Sequence, residues 1–253
     1  MAVNGSIDGE RRRRELVELV RESGELSIER AAARFEVSSM TIRRDLETLE
    51  IDGLLRRVRG GAVASPVPRS HDDRLATRAA AKRVIARKAL ALVPRTGTIA
   101  LDASTTVQGL AESLGDRDGL AACTNSVQTF EALARVPGLD AQLTGGSHEP
   151  VTGSLVGPIA NAGAGLLLTR VFFASADALH PVLGTSEASL AEAEVKRHLA
   201  AAADRTVLCI DSSKLGKRST GAALDLAEIA TLITELDPDD DRLDPYRAYV
   251  ELL

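Results

Sequence analysis

Tryptophan is absent from the 253 residues, and only four phenylalanines and two tyrosines occur. Cores must therefore be filled by Ala, Leu, Val and Ile, which a 44% apolar content supplies, and such a composition favours α/β layers over an aromatic-rich sandwich. Cysteine is scarce as well. Cys123 and Cys209 lie far apart in apolar, strand-like runs, so two small buried thiols are expected rather than a disulfide or a ligand pair. The histidines, His71, His148, His180 and His198, show no metal-ligand spacing, and neither a metal nor another cofactor is expected. No apolar run approaches the roughly 20 residues of a membrane span, and the N-terminus carries no hydrophobic signal core. A soluble, cytoplasmic chain without a membrane partner is expected. Positive charge is not in excess either: the net charge is −5, and residues 1–65 hold 12 arginines against 12 acidic residues. Any nucleic-acid contact must then come from local placement of cations, not from a general polyelectrolyte attraction.

What the sequence does contain is concentrated in Val37 to Gly61, VSSMTIRRDLETLEIDGLLRRVRGG. Ser38 or Ser39 is a good N-cap, and Ile42, Leu46 and Leu49 recur at i, i+4 and i+7, which predicts one buried helical face. The opposite face carries Met40, Arg44 and Glu47, with Thr41 and Arg43 on the shoulders. Adjacent arginines in the first turns oppose the helix dipole unless an anion faces them, and DNA supplies such anions. The plainer reading is a solvated arginine pair balanced by Asp45 and Glu47 at helical spacing.

The flanking residues weigh toward the first reading. Upstream, Arg11 to Arg21 reads as a helix stopped near Gly24, and Ser27 caps a short helix through Phe35. Two residues, Glu36 and Val37, then lead to the Ser38 helix, the spacing of a helix-turn-helix whose last helix lies in a major groove. Downstream, Gly53 stops that helix, and Leu54 to Ala64 reads as a small hairpin around Gly60-Gly61 carrying Arg56, Arg57 and Arg59, a composition suited to backbone phosphates. Expected DNA contacts are Ser38, Ser39, Thr41, Arg43, Arg44, Arg56, Arg57 and Arg59.

Behind this segment, residues 65–76, with two prolines and mixed charge, read as a linker. From Thr77 onward helices and strands alternate, which predicts βαβ units and a mostly parallel sheet over residues 77–253. Helices are expected at Ala79 to Leu92, Thr106 to Leu114, Val127 to Ala134, around Leu155 to Leu168, and at Ala188 to Ala203; strands at Thr98 to Asp102, Leu120 to Cys123, Ala141 to Thr144, Val171 to Ala174, Thr206 to Asp211 and Thr231 to Thr234. The acidic, proline-broken tail reads as a loop. Ligands of parallel sheets bind where strands end, so four loops are candidates: Asp102 to Thr106, Thr124-Asn125-Ser126, Thr144-Gly145-Gly146, and Asp211 to Lys214. The hydroxyls of the first loop either cradle a phosphate or simply cap the following helix; both readings suit it.

The run TIRRDL through GGA closely resembles the signature of the DeoR family of bacterial transcriptional regulators. LDASTT, TNS, TGG, EAEVKR and IDSSK resemble that family's later segments, so the resemblance spans nearly the whole chain. It implies a winged helix-turn-helix over residues 1–64, followed by an effector-sensing and oligomerisation domain similar to ribose-5-phosphate isomerase and related sugar-phosphate enzymes. It also implies that Asp102, Ser104, Thr105, Thr106 and Lys214 line a site for a phosphorylated sugar; the neighbouring loops add Thr124, Asn125, Ser126, Gly145 and Gly146. Three positions depart from the family pattern. Ser104, Ser175 and Ala178 stand where glycine is usual, which predicts a tighter pocket. The function expected is a repressor of a carbohydrate-utilisation operon, acting on operator DNA as a dimer or tetramer. Rival readings are an isomerase-like enzyme with an accessory DNA-binding domain, and a DNA-binding protein whose second domain only oligomerises.

Overall fold

The helical spacing of Ile42, Leu46 and Leu49 becomes a buried seam: all three side chains are sealed from solvent, while Met40 across the helix stays 60% exposed. In the computed structural model, which describes residues 2–51, 54–64, 71–150 and 152–253, the chain divides into two units, Met1–Arg69 and Ser70–Leu253. The first begins with α1 (Ala2–Ser23), which starts upstream of the expected Arg11, and continues through β1 (Glu25–Ser27) and α2 (Ile28–Phe35) to α3 (Ser39–Ile51). Ser27 caps α2, and Ser38, not Ser39, caps α3 by accepting the Thr41 N–H at 3.1 Å. Between the two helices Glu36 takes a left-handed conformation, φ 52°, which turns the chain within two residues. The expected stop at Gly53 lies outside the described residues.

The hairpin follows as β2 (Leu55–Val58) and β3 (Gly61–Ala64), and β1 joins to give the order β1-β3-β2, all antiparallel. Its two glycines have different causes. Gly60 makes the turn at φ 89°, whereas a Cβ at Gly61 would lie 1.9 Å from the Leu26 carbonyl oxygen, so only glycine lets the added strand approach. Leu16, Val17, Val20, Ile28 and Leu55 complete the core around the α3 seam.

In the second unit, residues 71–76 form a helix, α4 (His71–Ala76), where a linker was expected; the remainder of that stretch, residues 65–70, lies outside the described residues. Then come α5 (Ala79–Leu90), β4 (Gly97–Leu101), α6 (Thr105–Ala111), β5 (Leu120–Thr124), α7 (Val127–Leu133) and β6 (Asp140–Leu143). The helix expected from Leu155 breaks in two. Gly157 at φ 87° separates β8 (Leu155–Val156), which pairs with β7 (Ser147–His148), from α8 (Pro158–Leu166). After β9 (Val171–Ala174) the chain makes β10 (Ala178–His180), β11 (Gly184–Glu187), α9 (Leu190–Ala201), β12 (Thr206–Cys209), β13 (Gly221–Ala222), β14 (Thr231–Ile233) and β15 (Glu251–Leu252).

Seven strands form one sheet in the order β15-β14-β12-β9-β4-β5-β6, every pair parallel. Both faces are covered: Val171 and Phe173 of β9 enter one apolar layer, Phe172 and Ala174 the other, as an all-parallel sheet requires. The strand succession runs outward from β4 to β6 and then resumes at β9 on the other side. The switch point, where a ligand crevice belongs, is thus between the carboxyl ends of β4 and β9. A small antiparallel sheet, β10-β11-β13, follows β9.

The acidic tail, residues 236–246, runs as turns around a short 3-10 segment, Asp241–Leu243, ahead of β15. It buries Tyr246, whose hydroxyl donates to the Leu179 carbonyl at 3.1 Å and accepts the Gly216 N–H at 2.9 Å. Tyr246→Phe removes one donor and one acceptor and leaves the Gly216 N–H without its partner, so we expect about 1–3 kcal/mol of lost stability, read as a lower denaturant midpoint with unchanged slope.

Candidate nucleic-acid interface and ligand crevice

On α3, Ser38, Ser39, Arg43 and Arg44 are exposed and Thr41 is half-buried; the Thr41 and Ser38 hydroxyls sit 2.9 Å apart at the helix start. Of the two acids in the plainer reading, Glu47 is exposed on the helix with the arginines, whereas Asp45 is turned away from them. Asp45 is buried and its carboxylate accepts Arg12 Nε at 2.6 Å and Arg13 Nη1 at 3.4 Å, both from α1. Arg44 forms no ion pair among the described residues. On the hairpin, Arg57 is occupied: its N–H and its Nε both donate to Glu50, each at 2.7 Å, and these bonds hold the Glu50 carboxyl below its ordinary value. Arg56 and Arg59 are exposed and form no ion pair among the described residues. Of the residues expected on DNA, the structure therefore leaves Arg43, Arg44, Arg56 and Arg59 presented to solvent, and commits Arg57 in part to bracing the hairpin against α3.

At the carboxyl edge of the large sheet the expected ligand residues divide by what already holds them. Asp102, at the end of β4, is buried; Oδ1 accepts the Ser104 N–H at 3.0 Å and Oδ2 the Ser175 N–H at 2.7 Å, and Lys196 Nζ lies 3.1 Å away. Its carboxylate braces the switch point, bonded to the loops on both sides of it. Ser104 caps α6 through a bond from Val107 N at 3.1 Å, with φ −84°. The first helical N–H groups, of Thr105 and Thr106, have no intrahelical acceptor, and Lys82 Nζ donates to Thr105 Oγ1 at 2.8 Å. Thr124 and Ser126 are buried and engaged, Thr124 Oγ1 with the Ser126 N–H and Ser126 Oγ with the Thr129 N–H. Asn125 donates to the Leu155 carbonyl at 3.2 Å, while its Oδ1 is buried without a partner. Gly146 serves packing: a Cβ there would lie 2.8 Å from the Ala160 Cβ. Lys214 follows β12, across β9 from the other loops, with Asp177 Oδ1 at 4.0 Å. The substitutions at Ser104, Ser175 and Ala178 cost no backbone strain, since none of the three has positive φ.

Lys196 enters the sequence reading only as part of EAEVKR, without a site role, yet it is the charge at the centre. Fully buried on α9, its ammonium donates to Glu187 Oε1 at 2.5 Å and to the Ser175 carbonyl, beside Asp102. Burial alone would lower its pKa, but the Glu187 and Asp102 carboxylates together hold it above its ordinary value. Glu187 moves the other way. Burial pushes its carboxyl up, to about 7, and the nearby Asp177 and Asp102 add to the shift against the opposing pull of Lys196. One ammonium shared between two carboxylates does not fully compensate either. Among the described residues no group of three His, Cys, Asp or Glu side chains is placed to hold a metal, and no helix is long and apolar enough to cross a membrane.

Residues 12–66 match the family model for the DeoR-like helix-turn-helix domain, and residues 77–236 match the DeoR C terminal sensor domain. The chain belongs to the DeoR family. It is a DNA-binding transcriptional regulator of that family. Among its relatives are the lactose phosphotransferase system repressor of Streptococcus mutans, 32% identical over 96% of this chain and 98% of the relative, and a putative aga operon transcriptional repressor of Escherichia coli O157:H7, 28% identical over 96% and 92%. Ribose 5-phosphate isomerase A from Neisseria gonorrhoeae is a structural neighbour with TM-score 0.37 and 23% identity, covering 53% of this chain and 52% of that one.

The exposed arginines and the buried carboxylate each give an expected outcome. Arg44→Ala weakens binding of the full chain to its operator by about ten- to a hundredfold, the worth of one base contact, with an unchanged thermal midpoint; equal gel-shift titrations would remove α3 from the groove. For Glu187, a folded-state pKa raised above 4.5 to about 7 means that stability is fully present below the unfolded value and is lost as pH rises through the folded one. The melting temperature should thus fall from about pH 5 to about pH 7.5, and Glu187→Gln should flatten that slope; parallel slopes for the two proteins would refute the assignment.

Proposed function

We propose that this DeoR-family regulator represses a carbohydrate-utilisation operon and is released from its operator by a phosphorylated sugar. The observation that carries the reading is at the start of α6. The N–H groups of Thr105 and Thr106, which lack intrahelical acceptors, together with Lys82 on the Thr105 hydroxyl, are a seat for a phosphate at the carboxyl edge of a parallel sheet. The buried, unpartnered Asn125 Oδ1 offers an acceptor for a sugar hydroxyl nearby in the strand order. Asp102, engaged by Lys196, shapes this seat without touching the ligand, and Lys214 reaches it only across β9. That relatives are named as repressors, one of a lactose phosphotransferase system and one of an aga operon, supports repression and a sugar signal. On this reading the protein works in the cytoplasm as a dimer or tetramer, because a two-fold operator needs paired reading heads.

The test is a thermal-shift titration of the full chain with pentose 5-phosphates, hexose 6-phosphates, their unphosphorylated sugars and inorganic phosphate. One sugar phosphate should raise the melting temperature and release operator DNA in a gel shift. Lys82→Ala should weaken that response at least about tenfold, the order of a charged hydrogen bond to a phosphate. Stabilisation by none of the compounds would leave the second unit as an oligomerisation module.

A further inference from the structure

Arg78 is one of two described non-glycine residues with positive φ, at 53°. The left-handed region disfavours a long side chain unless its surroundings over-determine it. Here they do. Nε lies 2.8 Å from Asp211 Oδ1, and Nη2 is 2.5 Å from Glu235 Oε1 and 3.0 Å from Ser212 Oγ. Glu235 in turn accepts the Ser212 N–H at 2.9 Å and the Ser212 hydroxyl at 2.6 Å. One guanidinium thus gathers the loop after β12 and the end of β14. It sits between α4 and α5, in the stretch by which the chain enters the second unit. A few residues earlier the same stretch is seated again: Arg74 Nη2 donates to the Thr152 carbonyl at 2.6 Å, and Lys82 Nζ donates to the Arg74 carbonyl. Arg74 and Arg78 therefore fasten this stretch at two points, to Thr152 before β8 and to the candidate ligand loop after β12.

We propose that Arg78 is a latch that holds residues 71–78 on the crevice loops, and that an anionic ligand opens it. The inference rests on the phosphorylated-sugar reading for the identity of the opening signal, but not for the latch itself. The competition is electrostatic. A phosphate brought to the carboxyl edge attracts the Arg78 guanidinium and repels the Asp211 and Glu235 carboxylates, so the ligand favours the arrangement in which the three bonds are broken. A ligand changes DNA affinity only through such a difference between states. The latched arrangement is then the one that binds operator, and its loss mimics the ligand.

Arg78→Gly tests this cleanly, because glycine keeps the left-handed backbone and removes only the guanidinium; Glu235→Gln removes a partner while keeping Arg78. In the full chain without any ligand, both variants should bind operator at least about fivefold more weakly, the lower end of common coupling effects. Amide exchange should quicken together in residues 71–82 and 211–215, while α1, α3 and the β9 strand keep wild-type protection. Wild-type operator affinity in both variants, with the fold intact, would overturn the latch. The sugar-phosphate arm is separate. If a compound of the panel binds wild type and releases its DNA, Arg78→Gly should still bind the compound yet show less than about twofold further release, well below a common coupling effect. Full release in that variant would overturn the latch, whereas a panel without any binder would count against the sensing reading and leave the operator-affinity result to decide on Arg78.

Discussion

The sensor unit depends on one buried ammonium. Lys196 reaches from α9 to the switch point of the sheet and there meets the Asp102 carboxylate from β4, the Ser175 carbonyl after β9 and the Glu187 carboxylate from β11. Without that charge two carboxylates would face each other out of water, an arrangement that no other described cation within ion-pair distance relieves. With it, Asp102 is fixed so that its two oxygens receive the Ser104 and Ser175 N–H groups. The loops on both sides of the crevice are thereby set by a single hub. The serines standing where the family pattern has glycine fit this scaffold because the hub needs their backbone N–H groups and ordinary φ values, not the freedom of glycine.

The reading unit applies the same principle with opposite purpose. Its formal charge over residues 1–65 is balanced, which argues against a DNA-binding surface if charges are only counted. The fold distributes them instead. Asp45 is turned inward onto Arg12 and Arg13 and braces α3 against α1, and Glu50 is drawn onto Arg57. These two acids are engaged within the unit's own frame, and Arg43, Arg44, Arg56 and Arg59 remain outward. Net charge sets the long-range attraction, whereas the contact surface is set by which charges are already neutralised.

What the sequence discloses follows from how local the cause is. The α3 seam repeats every helical turn, and the apolar run of β9 marks a strand buried on both faces, so both are legible in the residues alone. The fold class, a winged helix-turn-helix with a parallel α/β unit behind it, comes from those periods together with the family signature. The short β10, β11 and β13 are not legible, because two to four residues carry no period and their pairing is decided by partners elsewhere. Asp102 stands out in the sequence, but the bonds that fix its carboxylate do not. Its Ser175 partner lies 73 residues away, and no local pattern announces that a carboxylate will be occupied by such a bond. A separation of 23 residues likewise hides Lys82, a lysine among the cations of α5 until the fold sets it on Thr105.

Residues 71–76 of the expected linker form α4, and the reason is physical. Prolines and mixed charge describe a segment that does not build its own core, and that remains true of α4, whose six residues are too few to be stable alone. Its stability must come from the surface it lies on, through Arg74 on Thr152 and through Arg78 just beyond it. A segment held only by its seat reports on the state of that seat. When the seat consists of loops at the same edge of the sheet as the ligand crevice, binding and release are linked through charges at that edge, so no extended pathway through the sheet is required. The tie between sensing and DNA reading is then a property of a few charged contacts at one edge of the sheet.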